Sequence, residues 1–302
     1  MTGFLAQGRW HRGWYDTRAT AGEFVRPDAR FRERPAPGAL RAEPGRYHLY
    51  VSLACPWAHR TLIMRTLKGL EDALPVSIVE PVMDEEGWAF SAALPDRANG
   101  FAHLHQAYTA ARPEYSGRVS VPVLWDARAG TIVNNESADI VRILDEDGEY
   151  CPAALRERID AMNAYVYENI NNGVYRCGFA SDQQAYERAF DRLFNALDHL
   201  EAVLSRSRFL VGDRATEADW RLFTTLVRFD AVYHGHFKCN RNRLADFANL
   251  HAYALDLYRH PGVAATVDMD HIKRHYYMSH PHLNPSRIVP RGPALDFTGR
   301  QQ

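Results

Sequence analysis

The sequence predicts two parts, an α/β domain followed by an all-α domain, on three observations. Runs rich in aromatic and β-branched residues, the mark of strands, fall before about residue 134, whereas beyond Pro152 the apolar residues recur at helical spacing. One such run, Tyr47-His48-Leu49-Tyr50-Val51-Ser52, passes through a short turn into a helix that opens on Pro56. The length, 302 residues at 46% hydrophobic and 24% charged content, suffices for two medium domains.

Residues 1–45 hold scattered aromatics, several arginines and Pro27, Pro35, Pro37 and Pro44 without a sustained period, and read as an extended arm over the first domain. From residue 46 the pattern becomes regular. After the strand, Pro56 suits a first helical position because its ring fixes φ, and the helix runs through Arg60, Leu62, Ile63, Met64 and Leu67 until Gly69. Pro75-Val76-Ser77-Ile78-Val79-Glu80 is a second strand, so residues 46–80 make a βαβ unit with parallel pairing. Residues 84–117 look irregular, with a short helix near His103 to Ala111.

Two strands then flank Asp126 to Gly130 as a hairpin: Val119-Ser120-Val121-Pro122-Val123-Leu124-Trp125 and Thr131-Ile132-Val133. A helix with apolar spacing of three and four, from Glu136 to Leu144, closes the domain. The order β-α-β-α-β-β-α is that of the thioredoxin fold. Pro122 starts its strand, where it breaks no central ladder bond, and a cis Val121-Pro122 bond is expected.

Beyond the first domain, helical segments are expected near 153–172, 181–205, 216–233, 243–258 and 261–267. Thr216 and Asp219 have the spacing of a capping box that opens a helix carrying Ala218, Leu222, Phe223, Leu226, Val227 and Phe229, too apolar around its girth for the surface. The predicted layout is an arm over 1–45, a thioredoxin-like domain over 46–148, an all-α domain over 149–280 and a tail over 281–302.

Charge narrows the partners. With 36 basic and 37 acidic residues, a formal net charge of −1 gives no reason to expect nucleic acid or a membrane surface. The first residues show neither a basic start nor a signal-length apolar run, and no stretch approaches the roughly 20 apolar residues of a spanning helix, so a cytoplasmic protein is expected. Cys55, Cys151, Cys177 and Cys239 are too widely spaced for a disulfide scaffold or paired zinc knuckles.

Cys55 stands apart from the other three. It precedes Pro56 at a helix N-terminus, where unpaired amides and the helix dipole favour a thiolate, the nucleophilic form. The residue three places on is Ala58, so no local cysteine can resolve a mixed disulfide and an external thiol must do so.

Cys55-Pro56-Trp57-Ala58-His59-Arg60 resembles the signature of the glutathionyl-hydroquinone reductases, the Xi class of glutathione transferases. Arg118-Val119-Ser120-Val121-Pro122-Val123-Leu124-Trp125-Asp126, Asn135-Glu136-Ser137-Ala138, Asn171-Asn172-Gly173-Val174-Tyr175, Leu226-Val227-Arg228-Phe229-Asp230 and His236-Phe237-Lys238-Cys239 resemble further blocks of that family, in order along nearly the whole chain.

The resemblance implies glutathione as co-substrate, a homodimer, and roles for particular residues. The Val121 amide binds the cysteine moiety of glutathione, while Glu136 and Ser137 hold its γ-glutamyl group. Glu136 can meet the ammonium, and Ser137 with helix-end amides the carboxylate; as a plain cap, Ser at a helix start is itself worth about 1 kcal/mol. Trp88 lies over the glutathione backbone, and Arg118 or Arg112 supplies the family's arginine upstream of the cis-proline. Tyr175 and Tyr276 match tyrosines that face an aromatic substrate, where a phenol can stack or hydrogen-bond.

The implied reaction is attack of the Cys55 thiolate on the glutathionyl sulfur of a glutathionyl-hydroquinone. It leaves a Cys55-glutathione disulfide that a second glutathione releases as oxidised glutathione. An Omega-like thiol transferase or dehydroascorbate reductase uses the same cysteine, and a non-catalytic interaction protein with the same fold is the rival from another class.

Fourteen histidines include the close pairs His271/His275, His103/His105, His234/His236 and His280/His282. None has a Glu-x-x-His context, and Cys239 near His236 reads as structural, so the pairs read as solvated or packing residues and no metal is expected.

Overall fold

The computed structural model of the protein describes residues 3–14, 16–294 and 297. By packing density the chain divides into two units. Residues 3–14, Pro27–Glu146 and Ala265–Val289 form the first; 16–26, Asp147–Ala264 and 290–294 belong to the second.

The N-terminal segment of the first unit is not a plain extended arm. β1 (Gly3–Ala6) and β2 (Arg9–Arg12) form an antiparallel hairpin in the register Leu5 with Trp10 and Phe4 with His11. Gln7 and Gly8 both have positive φ, 49° and 74°, the geometry of the tight two-residue turn whose twist suits a hairpin. Gly8 is required there, since a Cβ on it would overlap the Pro113 carbonyl. A short helix, α1 (Ala39–Ala42), leads into the main sheet.

β3 (Tyr47–Val51) is buried along its whole length, as a central strand covered on both faces must be. It is followed by α2 (Pro56–Leu67) and β4 (Val76–Ile78), which pairs parallel to β3 and completes the βαβ unit. The next stretch is short of regular elements until α3 (His105–Ala111), although Ala89 and His103 bridge across it. β5 (Gly117–Arg118) pairs with β1 rather than with the main sheet. β6 (Val123–Asp126) and β7 (Thr131–Asn134) form the expected hairpin, and the four-stranded sheet runs β4-β3-β6-β7 with only β3 and β4 parallel.

The Val121-Pro122 bond is cis, as expected from the position of Pro122. α4 (Ser137–Leu144) follows β7, and Lys68 and Asp145, at the C-terminal ends of α2 and α4, form a buried ion pair at 3.6 Å.

The second unit is helical. α5 (Arg156–Val166) continues through a wide π-turn at Tyr167–Asn171 into α6 (Gly173–Phe179), a helix the sequence reading does not separate. α7 (Gln183–Leu204) is capped by Asp182, whose carboxylate accepts from the Gln184 and Ala185 amides. All 12 residues of α8 (Glu217–Arg228) are buried, as its apolar girth requires, and a second π-turn extends it over Phe229–Tyr233. The capping box forms: Asp219 Oδ2 accepts from the Thr216 amide at 2.7 Å and the Thr216 hydroxyl at 3.0 Å. Its Oδ1 accepts from the Leu210 amide at 2.9 Å and Tyr253 at 2.7 Å. α9 (Ala248–Tyr258) packs beside it.

The helical domain expected over 149–280 differs from this grouping at its end. α10 (Met269–Ser279), opened by Asp268 capping the His271 amide, belongs to the first unit. There His275 Nδ1 donates to the Pro81 carbonyl at 3.0 Å and Ser279 Oγ accepts from the Met83 amide at 3.0 Å. Hydrogen bonds to residues some 200 positions earlier leave no periodic trace in the sequence.

Candidate active site

Cys55 is the N-cap of α2, with extended backbone geometry, and its side chain makes no capping bond to the helix. The turn that delivers it is held twice. The Cys55 amide donates to the Ser52 carbonyl at 3.1 Å, and Ser52 Oγ accepts from the Ala54 amide at 3.2 Å. Behind the turn, Ser52 Oγ lies 3.4 Å from His271 Nε2. Burial lowers the pKa of His271 to about 4, so near neutral pH the ring is uncharged and can accept the serine proton.

Cys55 Sγ is partly exposed and lies 3.6 Å from the carbonyl of Val121, the residue before the cis-proline. Among the described residues, the Val121 amide donates to no protein acceptor. A cysteine at a helix start and an available backbone donor therefore come together across the sheet end.

Glu136 and Ser137 open α4. The N-cap is Glu136, not Ser137: its carboxylate accepts from the Ala138 amide at 3.0 Å and from Ser137 Oγ at 3.4 Å, while its own amide donates to Asn134 Oδ1 at 2.8 Å. Ser137 is buried at the first helical position. Ser137 is thus not the helix N-cap, since the carboxylate one residue earlier accepts from the Ala138 amide.

Trp88 is only 6% exposed and stacks on His275 with centroids 4.8 Å apart. It thus packs against α10, the helix that carries Tyr276, itself 2% exposed and edge-on to His275 and His280. Arg118 spends its guanidinium on the N-terminal segment: it donates to the carbonyls of Gly3 at 3.2 Å, Gly13 at 3.4 Å and Trp14 at 3.1 Å. Arg112 lies over the Phe31 ring, 5.0 Å from its centre.

Tyr175 belongs to the second unit. Its ring sits among Phe24, Phe179, Tyr233 and Phe237 and lies under the Arg26 guanidinium at 4.9 Å. Nearby, a cleft of about 520 Å³ is lined in part by Arg176, Arg188 and Arg192. These are paired with Glu168 and Glu23, so the cleft offers less positive charge than its arginines suggest.

The sequence does not point to two neighbouring arrangements. His271, read only as half of a packing pair, backs the cysteine turn from the far end of the chain. Glu86 closes on His103 and His105, the one group of three metal-capable side chains among the described residues. The signal for the second was present as a tight Asp-Glu-Glu-Gly turn, but nothing local relates it to histidines 17 and 19 residues later.

A thioredoxin-like sheet with a cysteine at a helix N-cap position, together with a helical unit, is the architecture of the glutathione transferase class. The description "Glutathione S-transferase, N-terminal domain" matches residues 54–147 and "Glutathione S-transferase, C-terminal domain" matches 183–254. Glutathionyl-hydroquinone reductase PcpF of Sphingobium chlorophenolicum is 53% identical over 308 residues, covering 98% of both chains. Glutathionyl-hydroquinone reductase YqjG of Escherichia coli is 48% identical over 98% of this chain and 96% of its own. The glutathione-bound structure of YqjG superposes with a TM-score of 0.85 at 45% identity, covering 98% of this chain and 97% of that one. An Xi class transferase from Natrialba magadii gives 0.89 at 46% identity, covering 99% and 96%. The chain belongs to the glutathionyl-hydroquinone reductase family, the Xi class of glutathione transferases.

Proposed function

We propose that the protein reduces glutathionyl-hydroquinones to hydroquinones at the expense of glutathione, with Cys55 as the nucleophile. The observation that carries this reading is the placement of Cys55 at the α2 N-cap, 3.6 Å from the carbonyl before the cis-proline. The names of the two full-length relatives support the substrate class.

In the first step the Cys55 thiolate attacks the glutathionyl sulfur. The sulfur–carbon bond to the ring breaks, the ring carbon takes up a proton, and the hydroquinone leaves behind a Cys55-glutathione disulfide. In the second step the thiolate of another glutathione attacks that disulfide, releasing oxidised glutathione and restoring the Cys55 thiolate. The α2 N-terminus favours the anion in both steps. Tyr276, or Tyr175 as the resemblance implies, supplies the proton or polarises the ring hydroxyls.

The Val121 amide is the donor for the cysteine moiety of glutathione, and Glu136 meets the γ-glutamyl ammonium while Ser137 and the α4 amides take its carboxylate. Trp88, fixed by His275, forms a wall beside the glutathione backbone. Arg118 acts indirectly, through the N-terminal segment its guanidinium holds. The protein works as a homodimer in the cytoplasm, as the resemblance implies.

The test is turnover of a glutathionyl-hydroquinone with excess glutathione, wild type beside Cys55→Ser. Wild-type turnover with ping-pong kinetics, reduced at least about 10³-fold in the variant, is expected for loss of a covalent nucleophile. Turnover of dehydroascorbate and protein mixed disulfides, without turnover of the glutathionyl-hydroquinone, would instead establish the Omega-like reading.

A further inference from the structure

Glu86 and two histidines 17 and 19 residues later converge where the turn at residues 84–87 meets the start of α3. Glu86 Oε2 lies 3.1 Å from His105 Nε2 and 3.7 Å from His103 Nδ1, and the three ligand atoms all fall within 4.8 Å of one another. A tetrahedral zinc ion with nitrogen and oxygen ligands at about 2.0–2.1 Å holds them roughly 3.4 Å apart, so the two distances to Glu86 already stand near the required spacing.

The surroundings prepare the ligands. Asp84 Oδ2 sits 2.8 Å from His103 Nε2. That ring nitrogen carries the proton that the carboxylate accepts, which leaves the His103 Nδ1 lone pair turned toward Glu86. This is the carboxylate–histidine relay that orients metal ligands. Asp84 also accepts from the Glu86 amide through Oδ1 at 2.8 Å, fixing the turn that presents Glu86. Gly87 follows at φ 89°, and a Cβ there would come within 2.8 Å of the Trp10 ring. On the other side Trp10 stacks on His105, with centroids 5.2 Å apart, and its indole nitrogen donates to the Glu85 carbonyl at 2.9 Å. The two histidine rings are nearly parallel, 11° apart.

We infer that Glu86, His103 and His105 form a zinc site, with Asp84 orienting His103 and a water completing the coordination. Two imidazoles and a carboxylate suit zinc among the abundant divalent ions, whereas magnesium and calcium would require an oxygen cage. The ion would clamp the 84–87 turn to the start of α3 across the Ala89–His103 bridge, and so brace the segment that carries Trp88.

The test uses full-length protein carrying Cys55→Ser, so that the exposed thiol cannot compete, stripped with a chelator and titrated with Zn²⁺ against a chromophoric competitor. The expected result is one zinc per chain and a melting temperature that rises with free zinc. His103→Ala together with His105→Ala abolishes both, and Asp84→Asn weakens affinity about 10–100-fold. X-ray absorption of the zinc-loaded protein should show two imidazoles and only nitrogen and oxygen ligands, a readout that does not depend on the variants folding. Absence of a bound zinc at about 100 μM, zinc binding unchanged in the double variant, or sulfur in the coordination shell would each overturn the site.

Discussion

α2 and α8 begin in opposite ways. α8 opens on a closed arrangement: the Asp219 carboxylate takes four donors, from Leu210, Tyr253 and twice from Thr216, and the helix behind it is buried throughout. α2 opens on Cys55, a side chain that caps nothing and turns instead toward the Val121 carbonyl. A helix start satisfied by its own chain stabilises the fold, whereas one that leaves its anion-favouring end to a sulfur is arranged for chemistry. α4 lies between the two, since the Glu136 carboxylate caps the helix and is also proposed to hold the ligand.

The sharpest way to break this comparison is to exchange the consequences of the two residues. Asp219→Ala strands two buried amides and two hydroxyls, and should destabilise the protein by about 3–5 kcal/mol in denaturant titrations. Cys55→Ala should cost under about 1 kcal/mol and remove activity. Comparable stability losses in the two variants would contradict the division between a structural and a chemical helix start.

Acid should act on the buried histidines of the first unit and spare the Asp219 carboxyl of the second. Burial lowers the pKa values of His48 and His271, in the first unit, to about 4. The unfolded chain binds protons there from about pH 6.5, so stability is full above that value and falls as pH drops from about 6.5 to about 4, by at most about 3 kcal/mol for each histidine. In the second unit burial raises the pKa of Asp219, so acid takes no stability from that carboxyl. Hydrogen exchange at pH 5 should therefore lose protection in β3 before α8, and uniform loss across both would remove the contrast.

A smaller effect belongs to α4. Glu136→Gln keeps a cap oxygen but removes the charge, so stability should change by less than about 1 kcal/mol. The KM for glutathione should rise about 10-fold with kcat little changed, the pattern of lost ground-state binding.

Which parts were legible follows from how local their causes are. The βαβ unit, the β6–β7 hairpin, the long α7 and the α8 capping box each rest on neighbours a few residues away, and their sequence signals match the structure; the cis-proline, also matched, was expected from its place in the thioredoxin order. The N-terminal hairpin escaped because its strands have four residues each and its outer partner, β5, has two residues more than 100 positions later. Its Gln7-Gly8 turn was the available clue. Likewise α10 escaped: the last helix was expected over 261–267, where only a 3-10 turn forms at Ala264–Thr266, and the place of Met269–Ser279 beneath the Cys55 turn depends on single bonds from His271 and His275. At the candidate site, Cys55 was singled out by its position before Pro56, while Glu136 and the tyrosines rested on family resemblance.

The central claim is that Cys55 carries glutathione between the two half-reactions. Wild-type protein mixed with one equivalent of a glutathionyl-hydroquinone, acid-quenched without added glutathione, should show by peptide mass spectrometry one glutathione disulfide on Cys55, with hydroquinone released in equal amount. Release of hydroquinone from a protein with unmodified Cys55, or an adduct on Cys151, Cys177 or Cys239 instead, would contradict the account.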